Sequence, residues 1–493
     1  MSKILPMALL LSVFSLLVFP LPARAADPNS AAYSHDETKI FWIIHISDSH
    51  IGTNYYDEDT RFTWFFQEAV PTIQPLLIIN SGDLVDGSLN GIPASGQDEE
   101  EWLLYRNIVD DSGVTADFYY DLPGNHDGYG DEGMSFYTAW SLSGTHYGTL
   151  THPIPVTTSF GDYFFFGAAT PGLDGSTFIE HPEWSVEELD ELETQLSNHD
   201  SDDLIFVFGH HRPGQPENGD AAMDIIQQHG GFYFHGHSHN YDRYIYDQIV
   251  VGEVDSLGKA TNENLGVVAV DNNAVSYAVT DSEDPWPFIV ITAPSSKYLA
   301  SGEENPHAYD VCNTGQENPI RALVFDVNTI SAVTLETGDG TPVGLSQNAT
   351  IPQLWEGTFD ASGLAAGDHT LTITAAGTQV RSRDITIQLA DVECPDPTQP
   401  PPPDAGVEDG GAPVDAAPTP PDASELQDAA VARDASAVPD GSTYGGSGDR
   451  DGCSCTTAGQ SRSPLPPWLV WILLAFAGLA MARKKTGKKK SNF

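Results

Sequence analysis

Residues 40–50 read IFWIIHISDSH. Ile40 to Ser47 is a nearly continuous apolar run with His45 inside it, and a run this short and this continuous fits a strand buried on both faces. It ends in Asp48 and His50, two positions apart. A buried strand that releases a carboxylate and an imidazole at its carboxyl end puts them where open α/β sheets hold their ligands.

The same grammar recurs along the next two hundred residues. PLLIIN (75–80) runs into SGDLVDG, with Asp83 and Asp86. DFYYDLP (117–123) runs into GNHD, with Asn125, His126 and Asp127. LIFVF (204–208) leads to GHH, with His210 and His211, and GGFYF (230–234) leads to HGHSH, with His235, His237 and His239. Between these strands lie segments of helical spacing, 60–70 and 99–109, and a third at 185–199 whose Ser185 and Glu188 form a capping box. Strands alternating with helices predict a layered α/β core.

Carboxylate oxygen, amide oxygen and imidazole nitrogen together suit Mn, Fe or Zn better than the all-oxygen preferences of Ca and Mg. There are donors enough for two ions, which a shared carboxylate would hold ~3.5–4 Å apart. Of the three alternate histidines at 235–239, the first lies inside its strand and reads as core, as does His45. Tyr129, Trp140 and Tyr147 read as packing within the loop that follows Asp127.

The ordered series Asp48-x-His50, Gly82-Asp83-x-x-Asp86, Gly124-Asn125-His126-Asp127, Gly209-His210 and Gly236-His237-x-His239 resembles the calcineurin-like metallophosphoesterase family. The resemblance covers about 40–241, with further core strands to about 293. It implies a four-layer α/β/β/α sandwich. Carried over by position, it implies one transition-metal ion on Asp48, His50, Asp83 and His239, and a second on Asp83, Asn125, His210 and His237. It further implies in-line attack on a phosphate mono- or diester by a hydroxide held on the metals. His126 would protonate the leaving alkoxide and Asp86 would orient it.

Two features depart from the family's range. Leu84 and Val85 stand where the purple acid phosphatases have a tyrosine ligand, so a charge-transfer iron site is not expected. His211 follows His210 and competes for its role, with His210 the preferred ligand. A second reading of the same residues is a catalytically silent surface adhesion or binding protein that keeps the metals and uses the rest of the chain for contact.

After about residue 310 the texture changes to short β-rich runs separated by Gly, Asp and Asn, which predicts a small all-β sandwich over 318–392. Residues 395–462 form a Pro/Ala/Asp linker without periodicity. The first domain is expected over 26–310, behind a signal peptide at 1–25 with Lys3, an apolar run and Ala23-Arg24-Ala25. At the far end, an apolar segment at 465–482 precedes a basic tail at 483–493, which predicts a membrane or sorting helix with the bulk of the chain outside the cytoplasm. Cys453 and Cys455, the apolar segment and the basic end together resemble the MYXO-CTERM sorting signals. Cys312 and Cys394 bracket the β-rich region and could pair in an oxidising compartment. With 70 acidic against 21 basic residues and a formal charge of -49, a sequence-independent nucleic-acid partner is not expected.

Overall fold

The computed structural model describes residues 39–393, except 53–55, 93–94, 132, 171–181, 261, 315–316 and 339–341. All described residues belong to one compact unit. The expected signal peptide, linker, C-terminal apolar segment and basic tail lie outside the described residues, as does Cys394. Among the described residues no helix is long and apolar enough to cross a membrane.

Eleven strands build the first two sheets: β1 (Ile40–Ile46), β2 (Ile78–Asn80), β3 (Tyr119–Asp121), β4 (His152–Thr157), β5 (Asp162–Gly167), β6 (Leu204–Phe208), β7 (Phe232–His235), β8 (Asp242–Tyr246), β9 (Ile249–Glu253), β10 (Leu265–Asp271) and β11 (Ala274–Thr280). One sheet has the order β11-β10-β1-β2-β3, the other β4-β5-β6-β7-β9-β8. β1, β2 and β3 run parallel, as do β5, β6, β7 and β9. Their carboxyl ends, where the Asp, Asn and His residues follow, therefore share one edge in each sheet.

The period-2 pattern of β1 explains the layering. Phe41 and Ile43 join Phe165, Phe206, Phe208 and Phe234 in a core between the two sheets. Trp42, Ile44 and Ile46 face outward and meet Phe62 and Phe65, together with Trp102 and Tyr105 of the helix Glu99–Ser112. On the far side, Phe164, Phe166 and Val207 meet Leu192 and Leu196 of the helix Val186–Asn198, and Met223 of the helix Gly219–Gln228. The result is a mixed α/β fold with helices outside two facing sheets. The capping box at Ser185 and Glu188 is formed. β4 carries Pro153 and Pro155, which an interior strand could not accommodate, and it lies at a sheet edge.

The β-sandwich is built from β12 (Phe288–Ala293), β13 (Asp310–Thr314), β14 (Glu317–Phe325), β15 (Ala332–Thr337), β16 (Val343–Gly344), β17 (Ser346–Gln347), β18 (Leu354–Asp360), β19 (Gly367–Ala376) and β20 (Val380–Glu393). Its sheets have the orders β12-β14-β18-β17 and β13-β20-β19-β15-β16. β12 lies ahead of the boundary expected at 310, yet it pairs antiparallel with β14. A continuous apolar strand reads the same in either layer, so its sequence does not assign it. Both of its faces are covered. Ile289 and Ile291, with Ala322 and Val324 of β14, face the sandwich core. Phe288 and Val290, with Leu323 and Phe325, join the core around Trp42. Cys312 is disulfide-bonded.

Candidate metal centre

The loops after β1 and β2 are laced together by main-chain hydrogen bonds. Asp48 N donates to Gly82 O at 2.8 Å, His50 N to Asp83 O at 2.9 Å, and Ser81 N to Ile46 O at 2.9 Å. Asp127 ties in the third loop, its carboxylate accepting from Gly124 N at 2.7 Å, Leu84 N at 3.0 Å and Val85 N at 3.1 Å. At Gly124 a Cβ would run into the main-chain nitrogen and Oδ1 of Asp83, so only glycine fits. Asp48, His50, Asp83, His237 and His239 all adopt left-handed φ values, between 44° and 71°. Each such residue costs ~1–3 kcal/mol and persists only where its surroundings over-determine it, as they do here.

These loops bring all seven expected ligands to one place. His50 Nε2 and His239 Nε2 are 3.1 Å apart. Asp48 Oδ1 lies 3.1 Å from His239 Nε2 and 3.5 Å from His50 Nε2. On the other side, Asn125 Oδ1 lies 3.0 Å from His210 Nε2 and 3.1 Å from His237 Nδ1, and the two ring nitrogens are 3.3 Å apart. Asp83 Oδ2 stands between the groups, 3.3 Å from His210 Nε2 and 3.7 Å from His50 Nε2. Two facing imidazole nitrogens can share only one proton, and the carboxylates have none to give, whereas a cation among these atoms would serve every lone pair. The donors therefore fit metal ions, in two adjoining groups.

The electrostatics match. Burial raises the pKa of Asp48, but His239 and His210 more than offset it and hold the carboxyl well below its usual range. Asp83 is likewise raised by burial and brought well below its usual range by His210 and His126. Burial lowers the pKa of His210, yet Asp83 and Asp48 dominate and push it up to about 9. His237 goes down to about 4, through burial and the neighbouring His210.

The two expected catalytic residues stand beside this cluster. Nδ1 of His126 is 2.7 Å from the main-chain oxygen of Asp86 and donates to it, which leaves Nε2 on the side of Asp83 Oδ2, 3.9 Å away. The Asp86 carboxylate is farther from His126 Nδ1, at 3.7 Å, and engages other groups: Lys259 Nζ at 3.0 Å, the Ser88 hydroxyl at 2.5 Å and His50 Nδ1 at 3.4 Å. Asp86 thus orients His126 through its backbone and faces the ligand His50 with its side chain. Burial lowers the pKa of His126 to about 4, partly opposed by Asp83.

Three supporting residues were not legible as such. The Tyr129 hydroxyl accepts from Asn125 Nδ2 at 2.9 Å and so turns Asn125 Oδ1 toward the cluster. Thr170 Oγ1 accepts from the main-chain nitrogens of His210 and His211, both at 3.1 Å. Lys259 arrives on a loop held by Gly258 N to Asp48 O at 3.0 Å and by Arg61 Nη1 to Gly258 O at 2.6 Å. His211 is fully buried, its Nδ1 3.0 Å from Thr170 Oγ1 and its Nε2 without a hydrogen-bond partner among the described residues. One ring nitrogen of each of His210, His211 and His237 lies within 4.8 Å of the other two. His210 is the residue that faces Asp83 and Asn125. His45 and His235 point into the core, His45 between the Ser81 and Tyr277 hydroxyls at 3.0 and 3.1 Å, and His235 against the Tyr244 hydroxyl at 3.0 Å.

Residues 41–241 match the model of the calcineurin-like phosphoesterase family. Transmembrane protein 62 of Mus musculus is 25% identical over 381 residues, 74% of this chain and 57% of its own length. An Arabidopsis thaliana protein named as a metallophosphoesterase is 25% identical over 366 residues, 62% of this chain and 49% of its own length. The chain thus spans about half the length of these curated relatives. Among solved structures, GAP50, the anchor in the inner membrane complex of Plasmodium, aligns with a TM-score of 0.34 at 12% identity over 50% of this chain and 85% of its own.

Proposed function

We propose that the chain is a phosphoesterase that works with two transition-metal ions and hydrolyses phosphate mono- or diesters. One observation carries this reading: seven donor side chains from five strand ends converge around Asp83 with their lone pairs facing one another. When bound, Mn, Fe or Zn ions would supply the positive charge that draws a phosphoryl group and acidifies water.

The chain's own residues do the rest. Asp48, His50, Asp83 and His239 would hold one ion, and Asp83, Asn125, His210 and His237 the other. Tyr129 fixes the amide of Asn125, and Thr170 fixes the turn that carries His210. His126 keeps Nδ1–H on the Asp86 carbonyl, so Nε2 is the atom that exchanges a proton at the site. An anionic ester beside Nε2 favours the imidazolium, and the departing oxygen takes its proton from there. Lys259 neutralises Asp86 at Oδ1, the same oxygen that faces His50 Nδ1.

The test is metal content together with turnover of aryl phosphate mono- and diesters, before and after chelation, on the purified full chain. Bound metal and turnover that chelation abolishes and Mn, Fe or Zn restores would support the reading. A chain that retains no metal and turns over neither ester with any of them would refute it.

We also propose that the protein is exported and held at the cell surface. The support is the apolar leader behind Lys3, the apolar segment with its basic end, and a disulfide at Cys312, a bond that oxidising compartments favour. A mature N-terminus at Ala26 in the envelope fraction is the expected result. An uncleaved chain in the cytosol would contradict it.

A further inference from the structure

We propose that a cavity between the phosphoesterase layers and the β-sandwich is an anion-binding site that takes the phosphate or carboxylate group of a small organic molecule. The cavity has a volume of about 340 Å³ and opens between the edge strands β8 and β11 on one side and β12 and β20 on the other. Two arginines line it, Arg243 from β8 and Arg383 from β20.

Arg243 is the decisive residue. It is 8% exposed, yet among the described residues its guanidinium makes a single hydrogen bond, from Nη2 to Val275 O at a long 3.4 Å. Among the described residues no carboxylate lies within ion-pair distance of it. The same holds for Arg383, whose Nη1 reaches only Val279 O at 3.2 Å. Burial pushes the pKa of Arg243 below the usual arginine range, with Tyr241 and Tyr277 opposing. A chain with 70 acidic residues has carboxylates to spare, and its other buried arginine, Arg321, holds Asp271 at 2.8 Å. Burying a guanidinium without a counter-ion is costly, and an anion in the cavity would remove that cost.

The nearby acids do not fill the role. Asp384 lines the cavity but accepts from Thr372 Oγ1 at 2.7 Å, and Glu263, in an adjoining cavity of about 240 Å³ that shares Tyr241 and Arg383, feels the charge of Arg383 without an ion pair to it among the described residues. The Tyr241 hydroxyl makes no hydrogen bond among the described residues and adds a donor. Guanidinium forks suit the paired oxygens of phosphate and carboxylate. The volume exceeds a bare oxyanion, and Leu299 and Ala300 in the lining offer apolar surface for the remainder of the ligand. A bound anion would join the two layers through one arginine from each.

Equilibrium dialysis of the metal-loaded full chain tests this, with inorganic phosphate and succinate as probes. Binding of one or both that survives chelation is expected, weakened at least tenfold in Arg243→Gln and in Arg383→Gln. Arg383 is only partly buried, so its variant keeps the test valid if Arg243→Gln fails to fold. The stronger probe identifies phosphate or carboxylate as the natural group. The absence of chelation-resistant binding of both probes, or binding unchanged in Arg383→Gln, overturns the proposal. Phosphate that chelation releases belongs to the metal centre, so its behaviour bears on the phosphoesterase reading alone.

Discussion

His50 and His239 face each other through their Nε2 atoms at 3.1 Å, with Asp48 Oδ1 beside both. Imidazoles so placed bind a cation in competition with protons. The competition is strongest at His210, whose pKa of about 9 in the metal-free protein means that a metal must displace a proton at neutral pH. Metal affinity should therefore rise between pH 7 and 9, by about tenfold per pH unit for one displaced proton. Titration against a competing chelator, with proton release followed in weak buffer, checks this. Affinity flat across that range would contradict the assignment of His210.

Asp83→Ala and His126→Ala should separate binding from chemistry. Asp83 stands between both donor groups, so its loss should abolish metal retention. His126→Ala should keep its metal and lose turnover by ~10²–10⁴-fold for poor leaving groups, with a smaller loss for activated aryl esters. Metal analysis and a leaving-group series read the two effects. Equal metal loss in both variants would remove the proton-transfer role from His126.

Tyr129→Phe deletes one hydroxyl, the acceptor for Asn125 Nδ2. The amide is then free to rotate its oxygen away from the cluster. Metal affinity should fall by about 10–100-fold, as for other residues that orient a ligand, with the fold unchanged. Unchanged affinity would show that the main chain alone holds Asn125.

His45 and His235 are buried, and burial pushes both pKa values down to about 3, opposed at His45 by Asp48 and at His235 by its bond to Gly236 O. Unfolded, each would titrate near 6.5. The unfolded chain therefore binds more protons between those values, and stability present above about pH 6.5 is lost progressively as pH falls toward 3. Denaturant melts at pH 7.5 and 5 should show a lower midpoint at pH 5, and His45→Gln should reduce the difference. A pH dependence identical in the variant would place the effect elsewhere.

The clustered donor residues were legible because each follows a buried strand and the residue types are unusual there. The strand expected over Ile40–Ser47, which ends at Ile46, and the loop residues Asp48 and His50 need only local pattern. The supports were not, because their role depends on partners far along the chain. Lys259 reads as an isolated surface lysine until its loop is pinned against Asp48 and Arg61. Tyr129 reads as loop packing, and nothing near it in sequence marks its hydroxyl as the partner of Asn125. For Asp86, spacing placed the residue in the right pocket but could not tell that its carbonyl would meet His126 while its carboxylate turned to Lys259. β12 shows the same limit at the level of layers, since an apolar strand does not announce which neighbour it will pair with.

That strand also decides how the protein can be handled. With β14 it forms a party wall, and each side supports a different room. A fragment ending near 310 would strip the sandwich core from Ile289 and Ile291 and leave β12 with an open edge, inviting self-association. The matched stretch 41–241 is shorter still and would lack β8 to β11 as well. Melting of the intact molecule should accordingly show one cooperative transition across both regions, and neither half should be portable as a module.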